Sequence, residues 1–233
     1  MGSGRLVTGI VIAIDGPAGV GKSTVAREVA RRLGLAYLDT GATYRATALW
    51  CLREGVPLAV AEDVAAVAEG MNVTLVLDPE DPRVLIDSDD VTRLLRSDDV
   101  TAAVSDVSTN LAARAALGRW QRELIRAELV GGFSSGNGVV AEGRDITTVI
   151  APDAEVRVLM TADPEVRVAR RGGEGVHVNI AQLRSSIFDR DARDSTAVNF
   201  TTAADGVVTL DTTNLSIEEA VTAIIELARQ AAP

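Results

Sequence analysis

The stretch AIDGPAGVGKSTVAREVA, from Ala13 to Ala30, decides the fold of this chain. It contains the pattern G-x-x-x-x-G-K-S, beginning at Gly16, which is the spacing of a phosphate-binding loop (P-loop). An apolar, β-branched run at 9–15 precedes the loop and a helical pattern follows it, as phosphate binding requires. Glycines let backbone N–H groups point at phosphate oxygens, and the start of the helix adds its positive end. The sequence therefore predicts a nucleotide-binding loop rather than a plain glycine-rich turn.

The loop combines a backbone cradle with two side chains that have separate roles. Lys22 is expected to reach the β- and γ-phosphates of ATP, and the Ser23 hydroxyl is expected to ligate Mg²⁺. Lys22 is also the only lysine among 23 basic residues. An arginine-biased composition explains that count, but the loop is the place that needs a slim ammonium group. The residues predicted to bind ATP are Gly16, Pro17, Ala18, Gly19, Val20, Gly21, Lys22, Ser23 and Thr24.

Composition limits the partners of the chain. The formal charge of −10 argues against a nucleic-acid surface, which normally carries a basic excess. No apolar run approaches the roughly 20 residues of a membrane helix, and residues 1–8 contain no signal-peptide core. We therefore expect a cytoplasmic protein without a membrane partner and, since no exposed apolar stripe stands out, a monomer. Cys51 and His177 are the only residues of their types, which excludes disulfides and Cys/His zinc sites. Cys51 is expected to be buried and His177 to lie in a loop.

The P-loop alone is compatible with a switch GTPase, an ATP-driven motor or a small-molecule kinase. A GTPase of the common type reads guanine with an Asn-Lys-x-Asp segment, which cannot exist here because Lys22 is the only lysine. Motors usually carry a strand that ends in Asp-Glu, whereas the strand-like run at 139–142 ends in a single Glu142. The chain is also short for such a machine, so the kinase class is favoured.

Strand-like and helical segments alternate along the chain, which predicts an α/β fold with a mainly parallel sheet between helical layers. The runs at 71–77 and 82–87 predict an antiparallel hairpin inside an insertion that covers 56–105. The single domain is thus expected to consist of a core, 1–55 and 106–233, and this insertion. The remaining strands are expected at 9–15, 35–39, 139–145, 154–160 and 206–211, and helices at 22–33, 42–54, 61–69, 91–106, up to 130, after 163, at 180–193 and after 216.

Two segments that follow predicted strands carry groups suited to a second, anionic substrate. In LDTGATYR (38–45), Thr40 and the next amides can bind an anion at a helix N-terminus, where Tyr44 and Arg45 can close on it. In AEGRDITT (141–148), Arg144 suits a bidentate phosphate contact and Asp145 can accept the N4 hydrogens of cytosine. The alternative interpretations are a capped helix with a surface arginine and an internal Arg144–Asp145 ion pair.

Two helical segments add further arginines. Arg190 and Asp194 lie four residues apart in FDRDARDST (188–196), where an exposed ion pair is the alternative to a substrate contact. Arg114 shares a helical stripe with Gln121 and Leu124, so its side chain is expected to face the protein. There it either snorkels past apolar neighbours or contacts a base edge.

Taken together, these segments resemble the bacterial cytidylate kinase family over nearly the whole chain. The family pattern contains DGPAGxGKS, LDTGAxYR, EGRDxxT, PDA and RDxxDS. This sequence has them in that order, at 15–23, 38–45, 142–148, 152–154 and 190–195. The resemblance implies a P-loop three-layer core and phosphoryl transfer from ATP to CMP or dCMP in pyrimidine nucleotide metabolism.

The resemblance also implies a role for each candidate residue. The insertion would bind the monophosphate, and about 170–189 would form a short lid in which Arg170 and Arg171 face phosphate. Lys22, Arg45, Arg144 and Arg171 would be catalytic. By the same resemblance, the acceptor phosphate would be held by Thr40, Tyr44, Arg45 and Arg144, the cytosine by Ser105, Arg114 and Asp145, and the ribose by Arg190 and Asp194.

Two departures from the family pattern keep other functions open. The family carries an arginine just before the Ala-Val pair that follows the last motif, whereas here Thr196 leads directly to Ala197. The segment GGEGVHVN (172–179) is also a few residues shorter than the usual lid. The alternatives are a kinase for another nucleoside monophosphate, a nucleotide-binding regulator with weak transfer activity and an assembly ATPase.

Overall fold

The structure, a computed structural model, describes residues 9–172 and 180–231. Its strands are β1 (Ile10–Asp15), β2 (Ala36–Asp39), β3 (Val73–Val76), β4 (Arg83–Ile86), β5 (Asp89–Asp90), β6 (Gly138–Gly143), β7 (Val156–Thr161) and β8 (Val208–Asp211). Its α-helices are α1 (Lys22–Leu33), α2 (Thr40–Glu54), α3 (Ala61–Gly70), α4 (Asp98–Thr109), α5 (Leu111–Val130), α6 (Pro164–Gly172), α7 (Ile180–Asp194) and α8 (Ile217–Ala231). A 3₁₀-helix at Leu94–Arg96 and a π-helix at Ile146–Ile150 complete the described elements.

A five-stranded sheet in the order β2-β6-β1-β7-β8 forms the centre of the fold, and all its pairs are parallel. Every residue of β1 is buried because both faces of the sheet are covered. Ile12 and Ile14 pack with α1 and α8, whereas Val11 and Ala13 face α5 and the π-helix. The predicted α/β fold with a three-layer parallel core is confirmed.

A second, three-stranded sheet in the order β3-β4-β5 is antiparallel, which confirms the predicted hairpin. It packs with α2, α3, α4 and α5 around a separate apolar cluster that includes the buried Cys51. The tight turn before β5 uses Asp87 and Ser88 in left-handed conformations, with φ of 48° and 77°. The division of the chain into core, insertion and lid stays a prediction, and residues 173–179 of that lid, with His177, lie outside the described residues.

The chain breaks the predicted helix at 91–106 into two pieces. Ser97 has an extended backbone and its side chain accepts from the Val100 N–H at 3.4 Å, so α4 starts afresh at Asp98 after the 3₁₀-turn. The π-helix after β6 was not predicted either, and its position beside two candidate site residues matches the preference of π-turns for functional sites. Within the described ranges, no helix is long and apolar enough to cross a membrane.

Candidate active site

The carboxyl ends of three neighbouring strands bring the predicted site residues to one edge of the sheet. The P-loop follows β1, Arg144 and Asp145 follow β6, and Thr40 follows β2. Open α/β sheets bind ligands at this edge because the loops that leave the strands converge there. The sheet order therefore explains why segments so distant in sequence can form one site.

The P-loop backbone fits a phosphate group. Gly16 has φ of 147°, and a Cβ there would lie 2.2 Å from the Met160 carbonyl oxygen, so only glycine is tolerated. Gly21, with φ of 94°, precedes α1 and no side chain caps that helix. The first N–H groups of α1 and its positive end are thus directed into the loop, where an anion would satisfy them.

Lys22 folds back over the loop. Its Nζ donates to the carbonyl oxygens of Gly16 at 2.7 Å and Pro17 at 2.9 Å. Burial lowers the pKa of Lys22 to about 8, although Glu142 acts in the opposite direction. A phosphate in the loop would supply the negative charge that this desolvated ammonium group lacks.

Glu142, at the end of β6, is a site residue that the sequence analysis noted only as the end of a strand. It accepts a hydrogen bond of 2.5 Å from the Ser23 hydroxyl and one of 3.0 Å from the Tyr37 hydroxyl. Asp39 is its partner across the β2–β6 pair. Burial first, and then the charge of Asp39, raise the pKa of Glu142. The signal that could have identified it is that two acidic residues end adjacent strands beside the P-loop.

The start of α2 is held firmly against β6. The Thr40 hydroxyl donates to the Glu142 carbonyl oxygen at 2.8 Å, and Asp39 caps the helix by accepting from the Ala42 N–H at 3.1 Å. One turn on, Arg45 donates to the Leu95 carbonyl oxygen at 2.8 Å. Burial lowers the pKa of Arg45 to about 10, and neighbouring arginines add to this effect. The capped helix is therefore present, but Arg45 is half-buried and is not a freely exposed surface arginine.

Arg114, which is half-buried, and Asp145, which is buried, form an ion pair beside Tyr44. Arg114 also donates to the Ser108 carbonyl oxygen at 3.0 Å, and its guanidinium lies 5.6 Å from the centre of the Tyr44 ring. Burial raises the pKa of Asp145, whereas the charge of Arg114 lowers it. Arg114 therefore does not snorkel, and the Arg144–Asp145 pair considered from sequence is replaced by this one. The structure places Tyr44 in this cluster.

Ser105 lies on α4, the helix that leads to this cluster. It is 2% exposed, and its hydroxyl has no hydrogen-bond partner among the described residues. A buried polar group without a partner is costly, so a bound polar ligand is a natural explanation for it.

A chain of alternating charges links the β6 loop to α7. Asp191 is 2.8 Å from Arg144, and Asp194 is 3.1 Å from Arg144 and 3.5 Å from Arg190. Asp194 is only 4% exposed, so its pair with Arg190 is not the exposed i,i+4 pair that the sequence allowed. Arg167 pairs with the other side of Asp191. Three guanidinium groups against two carboxylates leave one positive charge in excess.

Two nitrogens in this charge chain are poised for a ligand. In the part of the chain that the structure describes, the buried Nη1 of Arg144 and Nε of Arg190 make no hydrogen bond of acceptable geometry. Burial and the charge of Arg144 lower the pKa of Arg190. An anion would satisfy these donors and relieve the repulsion between the two guanidinium groups.

The two predicted lid arginines differ in their surroundings. Arg170 donates to the Thr212 hydroxyl at 3.0 Å, to the Thr212 carbonyl at 2.6 Å and to the Val20 carbonyl at 3.3 Å. These contacts attach it to the outside of the P-loop rather than direct it at a phosphate. Arg171 lies close enough to Arg45 and Arg190 for its charge to lower the pKa of both. Of the two, Arg171 is therefore the one near the acceptor arginines.

Asp15, the last residue of β1, is a further residue that the sequence analysis missed. Its carboxylate accepts from the N–H groups of Ile146 and Thr147 at 2.9 and 2.8 Å and from the Thr147 hydroxyl at 2.6 Å. Burial raises the pKa of Asp15, and these hydrogen bonds oppose the shift. Asp15 thus fixes the backbone that follows Asp145. An acidic residue in an otherwise apolar, buried strand was the available signal.

Comparison with known proteins adds an independent line of argument. Residues 12–230 match the family described as cytidylate kinase. The chain is 44% identical over 220 residues to a cytidylate kinase from Cutibacterium acnes, covering 94% of this chain and 95% of that one. It is 37% identical over 230 residues to a cytidylate kinase from Streptomyces avermitilis, covering 98% and 96%. Among solved structures, it is similar to a gluconokinase from Sinorhizobium meliloti 1021, with a TM-score of 0.49, 16% identity and coverage of 97% and 95%.

Proposed function

Because the chain belongs to the cytidylate kinase family, we propose that it transfers the γ-phosphoryl group of ATP to CMP or dCMP, giving ADP and CDP or dCDP. The observation that carries this proposal is the position of the Arg114–Asp145 pair. It lies at the same sheet edge as the P-loop, and Arg144, next to Asp145 in sequence, connects the two. The proposed donor site and the proposed base-reading site would thus lie at the same edge of one sheet.

The donor end needs no covalent chemistry from the protein. The loop at 16–24 would bind the ATP phosphates through its backbone N–H groups, with Lys22 neutralising charge on the β- and γ-phosphates. Phosphoryl transfer depends on alignment and charge stabilisation, which a rigid loop between β1 and α1 provides.

The residues near Ser23 suit Mg²⁺ bound together with ATP. Ser23 offers a hydroxyl, Glu142 offers a buried carboxylate hydrogen-bonded to it, and Asp39 offers a half-buried carboxylate on the strand next to Glu142. In the described ranges, no three His, Cys, Asp or Glu side chains come together as a metal site, so the nucleotide phosphates would complete the coordination. When bound, Mg²⁺ supplies charge neutralisation for the transferring group.

The acceptor end would hold the monophosphate through arginines. Arg45 and Arg144, with Thr40, would position the phosphate, and Arg171 would contribute charge from α6. The attacking phosphate oxygen is already anionic, so it forms the new P–O bond while ADP takes the bonding electrons of the old one. No general base is required.

The cytosine would be read by Asp145 and Arg114, with Ser105 as a further polar contact. Uracil presents a carbonyl where cytosine presents an amino group, so the carboxylate of Asp145 would face another acceptor. Leaving such a buried group unpaired costs about 1–3 kcal/mol, or roughly 5- to 150-fold in kcat/KM. Arg190 and Asp194 would contact the ribose.

We also infer that the protein is cytoplasmic and monomeric. Light scattering during size-exclusion chromatography tests the monomeric state.

The experiment that tests the function is an ADP-release assay with Mg·ATP and, in separate reactions, CMP, dCMP, UMP, AMP or GMP. A reaction without any acceptor is the control. Turnover with CMP and dCMP well above UMP is the expected result. Preference for AMP, GMP or UMP would identify another nucleoside monophosphate kinase instead. ADP release that is independent of any acceptor would indicate an ATPase.

A regulator with weak transfer activity is the second candidate, because no arginine follows Thr196 before Ala197. This candidate predicts ATP binding without turnover on any acceptor in the same assay. Insertion of an arginine after Thr196 would then restore transfer, whereas the kinase is expected to be active without it.

A further inference from the structure

Side chains from two helices form hydrogen bonds with the backbone N–H and the backbone carbonyl of a single P-loop residue, Ala18. Arg167, on α6, donates from Nε to the Ala18 carbonyl oxygen at 2.8 Å. Asp191, on α7, accepts from the Ala18 N–H at 3.3 Å. Arg167 and Asp191 also pair with each other, and they are 8% and 9% exposed. We call these three residues the Ala18 clamp.

The Ala18 clamp is connected to the predicted acceptor site through one oxygen atom. Oδ1 of Asp191, which accepts from Ala18, lies 2.8 Å from Nη2 of Arg144. Arg144 is the residue that would hold the acceptor phosphate, whereas Ala18 lies in the loop that would hold ATP. A single carboxylate oxygen therefore serves one donor from each substrate site.

From this geometry we propose that Asp191 is a positioning residue that couples the two substrate sites, so that CMP and ATP strengthen each other's binding. The proposal rests on the proposed function. It concerns how the sites communicate, and Asp191 itself is not assigned a contact with either substrate.

The coupling follows from competition between the two donors. A charged donor makes a shorter and stronger hydrogen bond than a neutral amide, as the 2.8 Å and 3.3 Å separations reflect. A phosphate dianion bound at Arg144 draws the guanidinium toward itself, which leaves Oδ1 to accept more fully from Ala18. The P-loop backbone is then fixed before ATP arrives. Because coupling between two binding equilibria is reciprocal, ATP strengthens CMP binding by the same factor.

Arg167 is the second part of the connection. It holds Asp191 and the Ala18 carbonyl with different nitrogens of one planar guanidinium, and its guanidinium lies 5.3 Å from the centre of the Phe188 ring. Lysine has a single ammonium group and cannot reproduce this fork. Arg167→Lys therefore keeps the charge but is expected to loosen the hold of the clamp on Ala18.

The test is calorimetric titration of CMP into the full-length protein, with and without saturating Mg²⁺ and the non-transferable analogue AMP-PNP. For the wild type, the Kd for CMP is expected to fall at least about fivefold when the analogue is present. In Asp191→Asn this ratio is expected to fall below about twofold, with the Kd for each ligand alone changed by less than about threefold. Asp189→Asn, an exposed carboxylate on the same helix, is the matched control and should keep the wild-type ratio.

Several results would overturn the coupling. They are a wild-type ratio near one, an unchanged ratio in Asp191→Asn, and loss of CMP affinity in Asp191→Asn with the ratio retained. If circular dichroism shows that Asp191→Asn does not fold, Arg167→Lys decides by the same ratio. CDP formation by the wild type is measured in parallel. Its absence would overturn the proposed function, whereas CDP formation with an unchanged ratio in the variants would overturn only the coupling.

Discussion

Asp145 and Arg114 are far apart in the sequence but form an ion pair in the structure, and we propose that this pair selects the base of the acceptor nucleotide. Asp145 is buried and Arg114 is half-buried, and their charges balance each other in the absence of a base. A base that donates a hydrogen bond to Asp145 adds a favourable contact to the carboxylate. A base that only accepts leaves the carboxylate without a matching donor. We therefore expect selectivity for the base to depend on this pair rather than on the P-loop.

Changing Asp145 to asparagine is expected to shift selectivity toward UMP. The amide can donate to the uracil carbonyl, and it loses the charge that favours the cytosine amino group. We expect the CMP/UMP ratio of kcat/KM to fall by roughly 5- to 150-fold, from the cost of about 1–3 kcal/mol for a mismatched buried polar group. Steady-state rates on both nucleotides provide the measurement. An unchanged ratio in a folded variant would remove Asp145 from base recognition.

Lys22 is expected to titrate in a range unusual for lysine. Its pKa is lowered from 10.5 to about 8, chiefly by burial. The unfolded chain keeps the higher value and binds more protons between these two pH values, so Lys22 makes the free energy of unfolding rise with pH in that window. Below pH 8 both states are protonated and the penalty for burying the charge is fully present.

This pKa can be measured directly because the chain contains no other lysine. Reductive methylation with ¹³C-formaldehyde labels only Lys22 and the α-amino group, and an NMR titration then follows the Lys22 methyl signal. We expect an apparent pKa near 8, and a higher one with Mg·AMP-PNP, because phosphate charge favours the ammonium form. A midpoint near 10.5 without nucleotide would contradict the burial seen for this side chain.

At the residue scale, the sequence predicts the role of a residue when a local motif specifies it. It does not predict a role that depends only on how distant segments pack together. Lys22, Arg144 and Asp145 could be proposed as site residues because their spacing and their position after strands are local features. Asp15 and Glu142 were not, because their roles depend on hydrogen bonds to segments more than a hundred residues away. The partner of Arg114 could likewise be found only after α5 had been placed against β6.

At the element scale, apolar periodicity and capping residues predicted most boundaries well. The strands of the parallel sheet are short apolar runs, and Gly34 ends α1 with φ of 66°, as expected for a terminal glycine. The failures occurred where hydrogen bonds outweigh periodicity. Ser97 restarts a helix within a continuous helical pattern, and β5 is a pair of exposed aspartates that no strand propensity favours.

The capping box at the start of α8 offers a test of element stability. The Ser216 hydroxyl accepts from the Glu219 N–H at 3.2 Å, and the Glu219 carboxylate accepts from the Ser216 N–H at 2.8 Å. Ser216→Ala is expected to cost about 1 kcal/mol of stability. For a chain of this size that lowers the melting temperature by roughly 2–4 °C.

Calorimetric melting of Ser216→Ala against Thr222→Ala checks this prediction. Thr222 is an exposed position farther along the same helix, so its variant controls for the substitution itself. Both variants should keep wild-type kcat/KM, because α8 packs on α1 at the far side from the acceptor residues. Equal melting temperatures for the two variants would show that the cap contributes nothing.

At the scale of the whole molecule, substrate binding is expected to appear as global stabilisation. A ligand at a hundred times its Kd adds about 2.7 kcal/mol to the free energy of unfolding. That corresponds to a rise in melting temperature of roughly 5–11 °C for a chain of this length. CMP with Mg·AMP-PNP should therefore raise the melting temperature more than UMP with Mg·AMP-PNP at the same concentrations. Equal shifts would argue against selective binding of cytosine.

The strand order has a consequence for how the chain is made. β1 lies at the middle of the sheet, yet its neighbours β6 and β7 belong to the second half of the chain. At roughly 5–20 residues per second, the ribosome releases the central strand on the order of ten seconds before either neighbour exists. During that interval a strand that is apolar except for its last residue, Asp15, lacks its partners and is exposed to chaperones and to aggregation. Nascent chains that stop before β6 cannot build the sheet, so the first strand to be synthesised is enclosed only late.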